Sequence, residues 1–111
     1  MNFTLTSLFI FILICCPQLV DAQDQTLPLW EDTPPFTKKV LSQDQLREGG
    51  RITGVAVAEL LLYFPKKSLA NQIALLICPG GGYGHLAMEN EGHAIAKEYA
   101  EKGYLAAILK Y

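Results

Sequence analysis

Three consecutive glycines, Gly80 to Gly82, are the strongest candidate for chemistry in this chain. They follow a continuously apolar run, Ile73 to Cys78, which is typical of a strand buried on both faces of a parallel sheet. Pro79 has no backbone N–H and should end that strand. Glycines at the carboxyl end of a strand leave backbone N–H groups bare, because no Cβ atoms crowd them. Such N–H groups bind anions or developing negative charge.

Two chemistries use a loop of this kind, and the residues alone leave both open. The first is an oxyanion hole, in which backbone N–H groups stabilise the negative charge that develops on a carbonyl oxygen during acyl transfer. The second is a dinucleotide-binding turn, because Gly82, Gly84 and Ala87 match the G-x-G-x-x-A fingerprint. A third interpretation is purely structural, in which the glycines only form a tight turn between a strand and a helix.

A helix and a second strand should follow the loop and fix its position. The helix is expected to begin near Asn90, a favoured N-cap residue, and to end at Lys102 and the C-cap glycine Gly103. Its apolar stripe recurs at spacings of three and four residues and comprises Ile95, Ala96, Tyr99 and Ala100. Tyr104 to Tyr111 predict a parallel strand joined by a right-handed crossover. This βαβ unit places the glycines at the carboxyl edge of the sheet, where α/β sheets bind ligands.

The chain between the first segment and this unit divides into two parts. Residues 23–50 are polar and proline-rich, and they predict an extended arm followed by a polar loop, with Trp30 anchoring the arm. Residues 51–111 are expected to form the domain. Within the domain, Ile52 to Pro65 predict either one bent strand or two short strands that separate near Ala58 and Glu59.

Residues 1–22 have the pattern of a secretory signal peptide. An apolar run from Leu8 to Cys16 is followed by residues suited to signal peptidase, with cleavage predicted after Ala22. The predicted localisation is therefore secreted or periplasmic. The run is shorter than the ~20 apolar residues needed to span a bilayer, so no stable membrane span is expected.

The cysteines and charges argue against several other classes of protein. A lipid anchor at Cys15 is less favoured, because Ile14 rather than a small residue precedes it. After cleavage Cys78 would be the single cysteine, so no disulfide framework could form. The net charge is −2 and the charges are interspersed, so no basic surface for nucleic acid is predicted.

A family resemblance is carried by the last third of the chain. Residues 77–111, ICPGGGYGHLAMENEGHAIAKEYAEKGYLAAILKY, closely resemble the amino-terminal part of secreted α/β-hydrolase esterases of the acetyl xylan esterase type. The resemblance extends back to Arg51 and is most specific at the glycine loop. In that family a Pro-Gly-Gly-Gly-Tyr loop supplies the oxyanion hole, as a His-Gly-Gly-Gly loop does in lipases. The implied fold is α/β, a partial α/β-hydrolase fold with early strands and one βαβ unit of a mostly parallel sheet.

The resemblance also implies roles for individual residues of the loop. Gly81 and Gly82 would donate the oxyanion-hole N–H groups, Gly80 would shape the turn, and Tyr83 would line the pocket. The positions that brace the loop in the family are occupied by His85 and Glu89. The implied enzyme uses no cofactor or metal, and it hydrolyses acetyl or similar esters of small molecules or oligosaccharides.

The catalytic triad of that family has no counterpart in this sequence. A serine hydrolase of this class carries its nucleophile in a G-x-S-x-G turn, followed along the chain by an acid and a histidine. Beyond the signal segment the serines are Ser42 and Ser68, and neither has the required glycines beside it. We therefore expect the sequence to be the amino-terminal portion of an exported serine carboxylesterase.

Two alternatives from other functional classes stay open at the level of sequence. An NAD-type Rossmann unit would explain the glycine fingerprint, although Lys110 stands where that fold carries an acidic residue. A secreted interaction module without enzymatic activity is the other alternative, and its partner surface would comprise Trp30, Tyr63 and Phe64.

Overall fold

The computed structural model describes residues 24–111, which form two β-sheets and one helical segment. The predicted signal peptide, residues 1–22, lies outside the described residues. The strands in chain order are β1 (Gln25–Pro28), β2 (Gln45–Arg47), β3 (Arg51–Gly54), β4 (Glu59–Tyr63), β5 (Ala74–Ile77), β6 (Leu86–Ala87) and β7 (Leu105–Lys110). Between β6 and β7 lie a π-helical turn, Met88–His93, and the α-helix that continues it, α1 (Ala94–Glu101).

The larger sheet has four strands in the order β1-β4-β7-β5. β5 and β7 are parallel and are joined through α1, so the predicted βαβ unit is confirmed. The other two pairs, β1 with β4 and β4 with β7, are antiparallel. The sheet is therefore mixed, with one parallel pair and one helix, which is compatible with a fragment of an α/β fold. Parallel neighbours require a crossover connection, and within residues 24–111 only β5 and β7 have a helical one.

The smaller sheet is antiparallel and has the order β2-β3-β6. β6 is short and pairs with β3 through Ile52 and Leu86, so the chain leaving the glycine loop is tied to β3. The apolar stretch predicted as one bent strand or two short strands forms two, β3 and β4, and these belong to different sheets. β1 comes from the predicted arm and pairs with β4 in the larger sheet, and β2 comes from the predicted polar loop and pairs with β3 in the smaller one. Both sheets therefore contain residues from before and after position 50.

The core lies between the four-stranded sheet and the helical segment. Alternate residues of β4 and β7 face it, as expected for a sheet with one covered face. The smaller sheet and the π-helical turn complete it. The buried apolar residues that pack together in this core are Ile52, Leu61, Tyr63, Leu86, Met88, Ala96, Ala106 and Ile108; Leu62 is also buried but lies outside this cluster.

β5 is less buried than its sequence predicted. Its apolar run indicated a strand covered on both faces, but Leu76 is 62% exposed and Ile73 is 52% exposed. Cys78, expected to be a small buried hydrophobe, is also exposed. Within the described residues β5 is an edge strand that pairs only with β7, and the helical segment covers one face of the sheet. A run of apolar residues predicts a strand, but it does not guarantee that other elements cover it.

The helical segment ends as predicted and begins differently. Gly103 has a φ of 98°, its N–H donates to the Ala100 carbonyl, and the Tyr104 N–H donates to the Tyr99 carbonyl. These two bonds form a Schellman cap. Asn90 is not an N-cap residue, because it lies inside the π-helical turn. No helix between residues 24 and 111 combines the length and apolarity needed to cross a bilayer.

Candidate functional site

The glycine loop lies at the carboxyl end of β5 and forms one wall of an open cleft of about 450 Å³. β3 and the residue after it form the opposite wall, and Tyr111 closes one end. The loop is held at its beginning by two hydrogen bonds. The Tyr111 hydroxyl donates to the Pro79 carbonyl (3.2 Å), and the Ala87 N–H donates to the Gly80 carbonyl (2.9 Å). The loop is thus tied to the ends of β6 and β7.

The backbone of the loop adopts conformations that favour glycine. Gly81 has a φ of 151° and Gly82 a φ of 60°. A Cβ atom at Gly81 would overlap the carbonyl oxygen of His85, so no other residue fits there without movement of the backbone. A Cβ atom at Gly82 would meet nothing within 4 Å. Gly81 is therefore required by packing, and Gly82 by its φ angle alone.

The N–H groups of the loop divide into occupied and unoccupied donors. The Gly80 N–H donates to Glu91 Oε2 (2.8 Å), and the Gly84 N–H donates to the Gly81 carbonyl (3.2 Å). The N–H groups of Gly81 and Gly82 have no hydrogen-bond partner within residues 24–111. The resemblance implied Gly81 and Gly82 as donors; the Tyr83 N–H also has no partner within these residues. They lie in residues that line the cleft, so they are available to a ligand.

Tyr83 and His85 both line the cleft, but in different ways. Tyr83 has a φ of 62°, which is uncommon for a residue with a side chain, and its ring is fully exposed. His85 is half-buried and contacts Gly81 through its backbone carbonyl. Tyr83 therefore lines the cleft with its ring open to solvent, and the contact of His85 with the loop includes its main chain.

The carboxylate that contacts the loop belongs to Glu91. Glu89, which the resemblance implied as a brace, is exposed and lies against the turn between β2 and β3. A Cβ atom at Gly50 would come within 2.7 Å of the Glu89 Cβ, so this contact needs glycine at Gly50. Both carboxylates belong to one Glu-x-Glu spacing; the resemblance implied Glu89, but the carboxylate that reaches the loop is that of Glu91.

A buried ion cluster behind the cleft was not predicted. Lys110 is 7% exposed, and its ammonium contacts Asp44 Oδ2 (2.7 Å) and Glu59 Oε1 (2.5 Å). Asp44 Oδ1 also accepts a hydrogen bond from the Ala56 N–H (2.7 Å). Lys110, Asp44 and Glu59 come from three separate segments of the chain, so no local sequence pattern indicated that they would form a cluster. The only sequence clue was a lysine inside a strand whose alternate residues face the core.

For both Asp44 and Lys110, burial and ion pairing shift the pKa in opposite directions. Burial by itself would raise the pKa of Asp44, but the hydrogen bonds from Lys110 and Ala56 and the ammonium charge outweigh it and lower that pKa. Burial by itself would lower the pKa of Lys110, but Asp44 and Glu59 outweigh it and raise that pKa. Both groups are therefore charged in the neutral pH range.

A second unpredicted polar contact lies in the core, beside the sheet. The hydroxyl of Tyr63, a buried residue, lies 2.7 Å from His93 Nδ1, and the two rings meet edge to face. Tyr63 therefore cannot contribute to the exposed aromatic surface considered for an interaction module. Trp30 and Phe64 follow opposite ends of the β1–β4 pair, so they do not form one surface either.

The described residues do not form a metal site of the usual kind. Between residues 24 and 111 no group of three or more histidine, cysteine, aspartate or glutamate side chains could hold an ion together. The features that remain at the cleft are the unoccupied N–H groups of Gly81, Gly82 and Tyr83, a shaped glycine loop and an aromatic rim. Comparison of the chain with protein-family models, curated proteins and solved structures gave no match.

Proposed function

We propose that this chain is the amino-terminal portion of an exported serine carboxylesterase that acts on acetyl or similar esters of carbohydrates. Its part in the enzyme is to supply the oxyanion hole through the N–H groups of Gly81 and Gly82. The observation that carries the proposal is that these two donors are unoccupied and lie in a cleft-lining loop, while Gly80 and Gly84 have internal partners. The ester chemistry and the carbohydrate come from the family resemblance.

The position of the loop in the topology supports the same proposal. Counted along the chain within the four-stranded sheet, β5 is the third strand, and α1 is the α-helix that follows it. In α/β-hydrolases an oxyanion-hole N–H comes from the loop between the third strand and the first helix. The glycine loop occupies the corresponding interval of this sheet.

The proposed chemistry assigns one task to the described residues. A serine oxygen attacks the ester carbonyl carbon, and the carbonyl electron pair moves onto the oxygen as the tetrahedral intermediate forms. The Gly81 and Gly82 N–H groups donate to that oxyanion. The catalytic histidine takes the serine proton during this attack and gives it to the alcohol when the ester bond breaks; water then releases the acyl group from the serine with the same histidine as base. The proposal assigns the serine, acid and histidine to a part of the enzyme outside this sequence, which contains no G-x-S-x-G turn.

The test is to express the complete open reading frame that encodes this chain and to assay it with a chromogenic acetate ester. We expect turnover that a serine-directed phosphonate abolishes, together with a G-x-S-x-G turn downstream of Tyr111. The 111-residue chain, purified in the same way, is the matched control and should show no phosphonate-sensitive turnover. Turnover by the 111-residue chain, or a complete product that is inert toward esters, would contradict the proposal.

A dinucleotide-binding turn fits the geometry less well. In that motif the glycine turn opens directly into a helix whose N-terminus holds the pyrophosphate. Here Leu86 and Ala87, at the end of the fingerprint, form β6 and pair with β3. Lys110 is paired with Asp44 and Glu59 where the motif needs an acidic residue for the ribose. A fluorescence titration with NADH should accordingly show no saturable binding.

A further inference from the structure

A second cavity, of about 530 Å³, adjoins the cleft of the glycine loop. One side of it consists of residues 28–41 of the arm, and the other consists of residues 55–58, between β3 and β4. Val55 and Tyr111 line both cavities, so a ligand held in one of them can extend into the other. Neither the family resemblance nor the proposed oxyanion hole assigns any role to this second cavity.

The most prominent side chain of the second cavity is Trp30. It is 48% exposed, and it is the one tryptophan of the whole sequence. The sequence predicted that it would anchor the arm, but about half of the side chain is open to solvent. Pro28 and Pro34 lie beside it in the same wall. A large aromatic ring that is held in place and half exposed offers apolar area to a ligand at little cost in conformational entropy.

The polar side chains of the second cavity include two carboxylates and one ammonium, that of Lys39, so its charged groups are net negative. Glu31 and Asp32 line it, and neither carboxylate forms an ion pair within the described part of the chain. Thr37 also lines it, with its hydroxyl donating to the Pro34 carbonyl (2.6 Å), so its oxygen is free to accept. Charged acceptors bind hydroxyl donors strongly and repel anionic ligands. An aromatic ring beside several acceptors suits a ligand that is apolar on one face and rich in hydroxyl groups at its edges.

The walls of the second cavity are anchored to the sheets. The Leu29 N–H donates to the Ala58 carbonyl (3.0 Å), which joins the arm to the opposite wall. The Ala56 N–H is held by Asp44, which is in turn paired with Lys110. Tyr111 follows directly after Lys110, so the ion cluster fixes the wall shared by both cavities. A ligand therefore meets a preformed site instead of having to order a loose arm.

We propose that the second cavity binds a neutral oligosaccharide, with a sugar ring stacked on Trp30 and its hydroxyl groups donating to Glu31 and Asp32. In the full enzyme, the sugar that carries the ester lies in the second cavity and the acyl group lies in the glycine-loop cleft. That arrangement rests on the proposed function, whereas sugar binding by the second cavity does not. The site thus selects the alcohol part of the substrate.

The experiment uses the fluorescence of Trp30, because no other tryptophan contributes to the signal. The 111-residue chain is titrated with short, unesterified oligomers of xylose, mannose or glucose. We expect a saturable change in emission with at least one of them. An oligomer of galacturonic acid should bind more weakly, since the lining has two carboxylates, Glu31 and Asp32, against the single ammonium of Lys39.

Matched variants locate the binding, and calorimetry replaces fluorescence where the tryptophan is removed. Trp30→Ala should lower the association constant at least about tenfold, and Trp30→Phe, which keeps a ring, should lower it less. Phe64→Ala is the control, because Phe64 is also 48% exposed and lies outside the second cavity. Circular dichroism should show native secondary structure in every variant. Should Trp30→Ala fail to fold, Trp30→Phe and Asp32→Asn, which should also weaken binding, serve in its place.

Each result bears on only one of the two proposals. If no neutral oligosaccharide gives a saturable response, or if Phe64→Ala weakens binding as much as Trp30→Ala, the sugar site is overturned. The proposed esterase still stands if the complete reading frame hydrolyses a simple acetate ester. If sugars bind and depend on Trp30 while the complete product is inert toward esters, the sugar site stands and the esterase proposal fails.

Discussion

At the scale of single residues, Gly81 and Gly82 show that adjacent glycines can be needed for different reasons. At Gly81 a Cβ atom would collide with the main chain at His85, which cannot give way as a flexible side chain could. At Gly82 there is open space, and only the φ of 60° disfavours a side chain. A left-handed residue other than glycine costs about 1–2 kcal/mol. The two positions should therefore respond differently to the same substitution.

If the proposed esterase is obtained from the complete reading frame, we predict that Gly81→Ala lowers its kcat on an acetate ester by about 10²-fold, as removal of one oxyanion-hole donor does. The Cβ atom must push the loop away from His85 and so misplace the donors. Gly82→Ala should cost much less, and Gly82→Val more than Gly82→Ala, because β-branched residues tolerate positive φ poorly. Steady-state kinetics on purified variants would measure the three effects.

The control for backbone strain is Gly49→Ala, in the turn between β2 and β3. Gly49 has a φ of 69°, close to that of Gly82, and a Cβ atom there would make only ordinary contact with the Arg51 side chain. It does not line the cleft. The kcat of Gly49→Ala should equal that of the unsubstituted protein. An unchanged kcat in Gly81→Ala would remove this loop from the proposed oxyanion hole.

At the scale of elements, the end of α1 depends on its cap glycine. Gly103 combines a positive φ with a close approach to the chain before β5, since a Cβ atom there would overlap the Leu69 carbonyl oxygen. The Gly103 carbonyl also accepts a hydrogen bond from the Asn71 N–H (3.0 Å). The cap therefore also positions the segment that leads into β5.

We predict that Gly103→Ala lowers the free energy of unfolding by about 2 kcal/mol or more, because it adds a collision to the conformational strain. Urea unfolding followed by circular dichroism would measure the loss. Gly49→Ala is again the comparison, since it carries the strain without the collision and should lose about 1 kcal/mol. Equal losses in the two variants would mean that the approach to Leu69 contributes nothing to stability.

A second element with a measurable consequence is β5, whose outer edge has no partner within residues 24–111. An apolar, unpaired edge is a template for pairing with another chain. Leu76 is the most exposed large apolar residue of this strand, so Leu76→Lys should lower self-association of the 111-residue chain. Light scattering against concentration would measure it, with Leu69→Lys, at an exposed position outside the sheets, as the comparison. An equal reduction by both variants would show that added charge, rather than the edge, is responsible.

At the scale of the whole molecule, the cluster of Lys110, Asp44 and Glu59 joins the polar loop, β4 and β7. The pKa of Asp44 is lowered in the folded state, so its contribution to stability is present above about pH 4 and is lost as the pH falls below that value. The pKa of Lys110 is raised, so its contribution is present below about pH 10 and is lost as the pH rises further.

We therefore predict that the free energy of unfolding has a plateau between these limits and falls on the acid side. In Asp44→Asn the plateau should be lower, because Lys110 loses a charged partner, and the fall below about pH 4 should be shallower. Urea unfolding at a series of pH values would measure both. Glu101→Gln, at an exposed position on α1, is the control. If the free energy of unfolding of Asp44→Asn falls below about pH 4 as steeply as that of the parent, Asp44 does not cause the loss of stability in acid.

Local sequence determined the order of the elements and the position of the glycine loop. Pro79 ended β5, Gly103 capped α1, and the break near Ala58 separated β3 from β4, because each of these residues acts on its own backbone or its immediate neighbours. The parallel pairing of β5 and β7 followed from the strand-helix-strand order. The glycine loop could be proposed as an anion site for the same reason, since the missing Cβ atoms belong to the loop itself.

Contacts between distant segments were decided only by the tertiary structure. The choice of Glu91 over Glu89 as the partner of Gly80 depends on how the π-helical turn lies against the loop. The pairing of Lys110 with Asp44 joins residues far apart in the chain, and the exposure of β5 depends on which elements cover it. The cavity beside Trp30 exists because β1 pairs with β4 and brings the arm against residues 55–58. Residue types and spacing specify local conformation, whereas burial and partnership depend on the packing of the whole chain.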